Sequence, residues 1–403
     1  MAVWVDTLRT GAWLGRDRIR LWGAAMLAVA AAGIVFLLAT ADGSVDFRGR
    51  PLGTDFSNVY AAGTWVREGR PEAPFDPALQ LQRERELFGA ETPFYGWHYP
   101  PYFLFIARAL AGLPYLAALL LWQVATLALY LAALRAILAA TAPDLARDPL
   151  WLLLALAFPA VFVNLGHGHN GFLTAALLGG GLACLDRRPV IAGLLFSCLV
   201  YKPQFGLMLP LVLAASGRWR AFFAAAAGVL ALTALTTLAF GTEVWRAFLA
   251  STEFTRSVVL EAGDTGWHKI QSLFAWTRMW GGAVPLAYAV QGTATLAVAA
   301  ALGWLWHRSA PFPRQASALA IGTLLATPYA LDYDLMALAP AIAFLAAHGK
   351  GRGFAPFEKS VLAALWLVPL LARPLAESFA LPLAVPLMIA AFAINAHAAR
   401  AAP

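Results

Sequence analysis

Charge is what this chain has least of. Only 13% of its 403 residues are charged, against roughly a quarter in ordinary soluble domains. Apolar residues make up 61%, and mean hydropathy is +0.67. Those apolar side chains cannot all fit one soluble core, and they come as repeated long runs. Cysteine is nearly absent: Cys184 and Cys198 both lie inside apolar runs, which excludes a disulfide framework or a thiolate metal site. There is no glycine-rich nucleotide loop. The net charge of +7 does not point to nucleic acid, because Lys and Arg fall in short clusters between apolar runs. That is the positive-inside pattern of a multi-pass protein of a bacterial inner (plasma) membrane.

What is present is a succession of apolar runs broken by two polar intervals. Leu21 to Thr40 is uncharged and about 30 Å long as a helix. Arg9, Arg16, Arg18 and Arg20 precede it, which predicts a cytoplasmic N-terminus. Ala39-Thr40-Ala41 resembles a signal-peptidase site, yet the run exceeds a usual signal core, so it reads as an anchored first span. Tyr99 to Ala111 is short for a crossing. Further runs follow at about 114–139, 149–165, 170–184, 189–214, 219–240, 283–306, 315–331, 333–347, 357–371 and 378–396. The expectation is an all-α polytopic integral membrane protein, one domain over 1–403, with roughly eleven or twelve membrane segments.

The polar intervals, 41–98 and 241–282, read as external loops carrying short amphipathic helices. In the first, Thr54 or Asp55 caps a helix to about Arg67, and Asp76-Pro77 opens a second that Gly89 stops. In the second, Thr242 caps a helix to about Arg256. Basic turns at His307-Arg308, Arg314, Lys350, Arg352 and Lys359 put the turn 327–334 outside, beside the Asp55 loop. Arg187-Arg188 and Arg218-Arg220 both ask to be inside. They can be if Tyr201-Lys202-Pro203-Gln204 is the outer tip of a broken segment, which also puts His167-Gly168-His169-Asn170 outside. Strict alternation of spans reverses both placements.

Asp55 is a candidate general base for an acceptor hydroxyl; its structural alternative is a first-turn carboxylate, stabilised and weakened as a base by the helix N-terminus. Lys202, in an apolar segment, suits a lipid-linked phosphate or a leaving group, or else snorkels to the interface. Asp332 and Asp334 are two apart and would face opposite sides of a helix, so one can contact substrate while the other caps. His167 and His169 lack a third ligand for a metal. His98 and Tyr99 sit where an interfacial aromatic belt or a substrate contact would each fit. His268 and Lys269 suit phosphate or plain solvation. Trp245, Trp267, Trp276 and Trp280 fit an interface or sugar stacking.

In order, the motifs are Asp55-Phe56 with Tyr60, Phe75-Asp76-Pro77, Tyr99-Pro100-Pro101, Gly168-His169-Asn170, Lys202-Pro203, and Tyr329 with Asp332-Tyr333-Asp334. As an ordered set spanning about 50 to 335 they resemble glycosyltransferase family 87, the polyprenyl-phosphate-mannose-dependent mannosyltransferases. Two positions depart from that pattern: His169 stands where the family commonly has Gln, and Phe75 where it has Tyr.

The resemblance implies the GT-C membrane fold, with an acidic residue of the first external loop as catalytic base. Asp55 is the matching position. It implies transfer of a hexose, most of all mannose, from a polyprenyl-phosphate donor to a hydroxyl of a lipid or glycan, with inversion, on the outer face of the membrane. Lys202, His268 and Lys269 would bind the donor phosphate. His98, Tyr99, His169, Asn170, Gln204, Gln271, Tyr329, Asp332 and Asp334 would contact substrates. No metal and no cofactor is expected; the partners are the donor, the acceptor and membrane lipid. The competing class is a transporter or flippase for a lipid-linked sugar, and a third reading is a non-catalytic lipid-binding relative.

Overall fold

The computed structural model describes residues 2–308 and 310–400, and the described residues are helical nearly throughout. Among the described residues, five helices are long and apolar enough to cross a membrane: Arg16–Ala39, Tyr115–Thr141, Trp219–Phe240, Val284–His307 and Glu358–Phe379. A sixth crossing is available if Leu150–Leu156 and Pro159–His167, bent by 46° at Pro159, act as one span. Other apolar runs form shorter helices, among them Gly171–Cys184, Pro189–Tyr201, Pro203–Ala215 and Ala384–Ala398. The protein is an all-helical, multi-pass membrane protein.

The helices run between two ends of different character. One end gathers charge. There Arg16 pairs with Asp148 at 2.8 Å and Arg314 with Glu358 at 3.0 Å. The Phe357 N–H donates to the Arg9 carbonyl, and Arg218 pairs with Asp186 while lying over the Trp306 and Phe312 rings. The Arg218–Asp186 contact decides the path of the broken segment. Residues 186 and 218 bracket 189–215, so that stretch rises, turns at Lys202 and returns to the end it left. Lys202-Pro203 is the turn because proline frees its own N1 position from donating and the preceding residue leaves the helical region, with Lys202 at φ −133°, ψ 77°.

Close packing holds that path. A Cβ at Gly193 would run into the Ala221 carbonyl, and one at Gly228 into the Ser197 hydroxyl. Glycine at both positions lets Pro189–Ser197 and Trp219–Phe240 lie backbone to backbone, as small residues do where lipid supplies no hydrophobic drive. The largest buried cluster fills the bundle around Tyr130, Phe158, Phe172, Phe205, Trp306 and Phe344.

A second cluster covers the other end, built on Phe56, Trp97, Phe103, Trp122 and Tyr201, with Phe103 and Tyr201 stacked at 5.0 Å. It seats the first polar loop on the bundle. Residues 99–111 do not cross: Leu104–Leu110 packs under the loop helix Thr54–Arg67, and Tyr115 then starts the next span with its hydroxyl on the Leu52 carbonyl at 2.5 Å. Within the loop, Asp76 caps Pro77–Phe88 by accepting from the Ala78 and Leu79 N–H groups, and Gly89 ends it with φ 108°. Thr54–Arg67 is capped differently from expectation. Gly53, left-handed at φ 67°, precedes it, so Thr54 and Asp55 both lie inside the helix and their side chains are free to reach other elements.

Candidate active site

At the end opposite the charged one lies a cavity of about 580 Å³. Four stretches distant in sequence make its walls: the loop helix with Asp55, the irregular segment 93–100, the Lys202 turn, and the 329–333 turn. The second polar loop adds Ser251, Thr252, Thr255, Arg256, Asp264 and Lys269. The Glu243–Phe254 helix does not stop at Arg256 as its sequence suggested. It widens into a π-helical turn over Thr255–Glu261, a feature common at functional sites.

Asp55 stands in the first turn of Thr54–Arg67, its carboxylate keeping 24% exposure toward the cavity. Beside it, His167 Nδ1 lies 3.8 Å from Oδ2 and 2.7 Å from the Thr54 hydroxyl. His167 reaches there because Gly168 takes φ 60° to end its helix; a Cβ at Gly168 would sit 2.6 Å from Phe56 Cβ. Burial raises the Asp55 pKa above the ordinary carboxylate value; His167 opposes the rise, Asp332 adds to it, and Lys269 and Lys202 oppose it. The result is a carboxylate more basic than one in water, despite its helix N-terminus.

Lys202 donates to Asp334 Oδ1 at 2.6 Å, and its ammonium lies 4.8 Å from the Tyr333 ring centre. Asp334 also accepts from the Leu331 N–H. The neighbouring Asp332 turns to the cavity instead, with Arg373 at 3.7 Å. The 3-10 turn Asp332–Ala337 thus points its two carboxylates to different partners. Tyr99 shares a 3.2 Å hydrogen bond with His169 Nε2, and the His169 ring stacks on Tyr333 at 3.4 Å. His98 Nδ1 meets the Thr255 hydroxyl at 2.9 Å, and burial pushes its pKa down to about 4, so it is neutral at physiological pH.

Of the residues singled out in the sequence, Asp55, His98, Tyr99, His169, Lys202, Gln204, Lys269, Tyr329 and Asp332 line the cavity together. Asn170, Gln271 and Asp334 are buried behind its wall, where the Gln271 N–H donates to the Ala330 carbonyl at 2.6 Å. His268 stands outside the wall, on the Trp267–Lys269 turn. Arg50 and Arg373 line the cavity too and escaped sequence reasoning. Both precede proline, as Lys202 does, but so do Arg70 and Arg188, which do not line the cavity, so the sequence carried no specific signal for them. Among the described residues, Arg50 and Lys269 make no ion pair, and Lys269 acts on the Asp55 and Asp332 carboxylates only from a distance.

A helical membrane protein with an acid-and-cation cavity at one end of its bundle is the class this geometry defines. The family model for glycosyltransferase family 87 matches residues 97–328, more than half of the chain, and the protein belongs to that family; it is a transferase by that membership. The matched segment holds His98, Tyr99, His169, Lys202 and Lys269, while Asp55 and Asp332 flank it. Comparison with curated proteins and with solved structures gave no match.

Proposed function

We propose that this glycosyltransferase moves a hexose, most of all mannose, from a polyprenyl phosphate to a hydroxyl of a lipid or glycan, with inversion, in a GT-C arrangement whose cavity faces the outer side of the membrane. The acceptor oxygen attacks the anomeric carbon while Asp55 takes its proton. The bond between that carbon and the phosphate oxygen breaks, and its electron pair leaves with the polyprenyl phosphate. The added negative charge is met by Lys269 and Lys202. Attack opposite the leaving phosphate inverts the centre, through a transition state of oxocarbenium character by analogy with glycoside hydrolysis.

The observation that carries this reading is the meeting of Asp55, raised in basicity by burial, with Lys202 and Lys269 on one cavity wall system. A base and a phosphate site within one cavity are what transfer from a phosphate-linked sugar needs. Purified protein given radiolabelled polyprenyl-phosphate mannose and a lipid extract from its host tests it. Wild type should form a labelled lipid or glycan, and Asp55→Asn should lose about 10²–10⁴-fold in kcat. Equal transfer by both removes Asp55 as base. Movement of the donor across the bilayer without a new glycosidic bond would make the protein a transporter.

A further inference from the structure

A second cavity, of about 420 Å³, lies against the first. It is bounded by Arg16–Ala39, the bent pair at Pro159, and Glu358–Phe379. Its lining is apolar and includes small side chains, Ala30, Gly33, Ala157 and Gly166, with Phe162 and Leu370 beside them. Only 6% of the spanning window of Arg16–Ala39 is buried, so this flank of the molecule faces lipid. Three residues, His167, Asp332 and Arg373, line both cavities. An apolar space on the lipid-facing flank that continues into a polar cavity past a cation has the chemistry of an amphiphile with an anionic head.

Arg373 is poised for that head. Its only ion-pair partner among the described residues is Asp332, at 3.7 Å, and its side chain keeps 37% exposure. A guanidinium has five donors in a planar fork that fits phosphate oxygens, and a contact that long leaves most of them unused. The cation also decides which lipid belongs here. An acceptor must bring a hydroxyl to a base, whereas a donor must bring a phosphate to a cation.

We propose that the second cavity holds the isoprene units nearest the phosphate of the polyprenyl donor, and that Arg373 binds that phosphate where the cavities join. This rests on the polyprenyl-phosphate reading above. The test uses the full chain in nanodiscs and a polyprenyl phosphate carrying a diazirine in its first isoprene units, with labelled peptides mapped by mass spectrometry. Label should fall on residues 26–33 and 369–370. Ala30→Trp, which fills the cavity, and Arg373→Gln should each lower labelling about tenfold, and Arg373→Lys should recover part of it. Unlabelled polyprenyl phosphate should compete; phosphatidylglycerol should not.

Label on other helices, competition by phosphatidylglycerol or an acceptor glycolipid, or labelling unchanged in both variants overturns the proposal. Transfer measured on the same wild-type sample separates the two ideas. Transfer with label elsewhere sinks the lipid site and leaves the reaction standing. Label in the cavity without any transfer does the reverse.

Discussion

Among the described residues two ion pairs are buried, one at each end of the bundle, and they are built differently. Arg314 and Glu358 keep 5% and 3% side-chain exposure; Lys202 and Asp334 keep 8% and 0%. The first pair is closed. Arg314 reaches both Glu358 oxygens, and Asn395 Oδ1 at 3.4 Å. Glu358 also accepts from the Ala355 N–H, and the Asn395 amide returns a bond to the Arg314 carbonyl. The second pair is open: the Lys202 ammonium has three donors, gives one to Asp334, and lines the cavity. Burial alone therefore does not separate the two pairs; unused hydrogen-bonding capacity at a cavity does.

The largest effect that would break this comparison is at the closed pair. Arg314→Met leaves Glu358 buried and unpaired and should cost about 3–5 kcal/mol of stability, with the kcat of the folded fraction unchanged. A thermal melt in detergent beside a transfer assay checks both. Loss of kcat in fully folded protein would give the closed pair a part in chemistry.

The open pair should fail differently. Lys202→Met should cost less stability, about 1–3 kcal/mol, because Lys202 gives Asp334 one hydrogen bond where Arg314 gives Glu358 two, and it should raise the donor KM. In the double variant Lys202→Met/Asp334→Leu the stability should return while the donor KM stays high. If the double variant binds donor normally, Lys202 is only a structural ion-pair partner.

The smallest effect concerns a buried carboxyl group that makes no ion pair among the described residues. Glu84 is fully buried in the first loop, where it accepts from the Tyr95 N–H at 3.1 Å and helps fix the cavity segment 93–100. Burial pushes its pKa from 4.5 up to about 8. The folded state thus holds the proton that the unfolded chain gives up, so stability from this site is full below about pH 4.5 and falls as pH rises toward 8. Glu84→Gln should flatten that fall and raise the melting temperature by about 2 °C near pH 8.5. An unchanged pH profile would show that Glu84 is not the group responsible.

Much of the scaffold was legible because it depends on local rules. Run length marked the long spans, but of the eleven or twelve segments expected only five or six among the described residues are helices long enough to cross; Asp76-Pro77 and Gly89 marked a loop helix, and charge clusters left a broken segment at Lys202-Pro203 open beside strict alternation. The pairings were not legible. Lys202 meets Asp334 from 132 residues away, and nothing local to either names the other. His167 read as half of an incomplete metal site, yet it stands beside Asp55, because the neighbour was set by the left-handed turn at Gly168. Arg373 was passed over because the apolar run read as 357–371 stops two residues short, whereas the helix continues to Phe379 and carries the guanidinium to the cavity. The cap at Gly53 was missed for a related reason: glycine has no side chain to betray a capping role.

Gly171–Cys184 has 14 residues and rises only about 21 Å, against a hydrocarbon layer of about 30 Å. It begins beside His169 and Asn170 and descends to Asp186, next to the charged end, so its shortfall is taken up at the cavity. Measured from the charged end, the top of this helix falls about 9 Å short of the thickness of such a layer. On the proposed reaction, a lipid-borne sugar would reach its acceptor by sliding sideways, without being lifted out of the membrane that carries it.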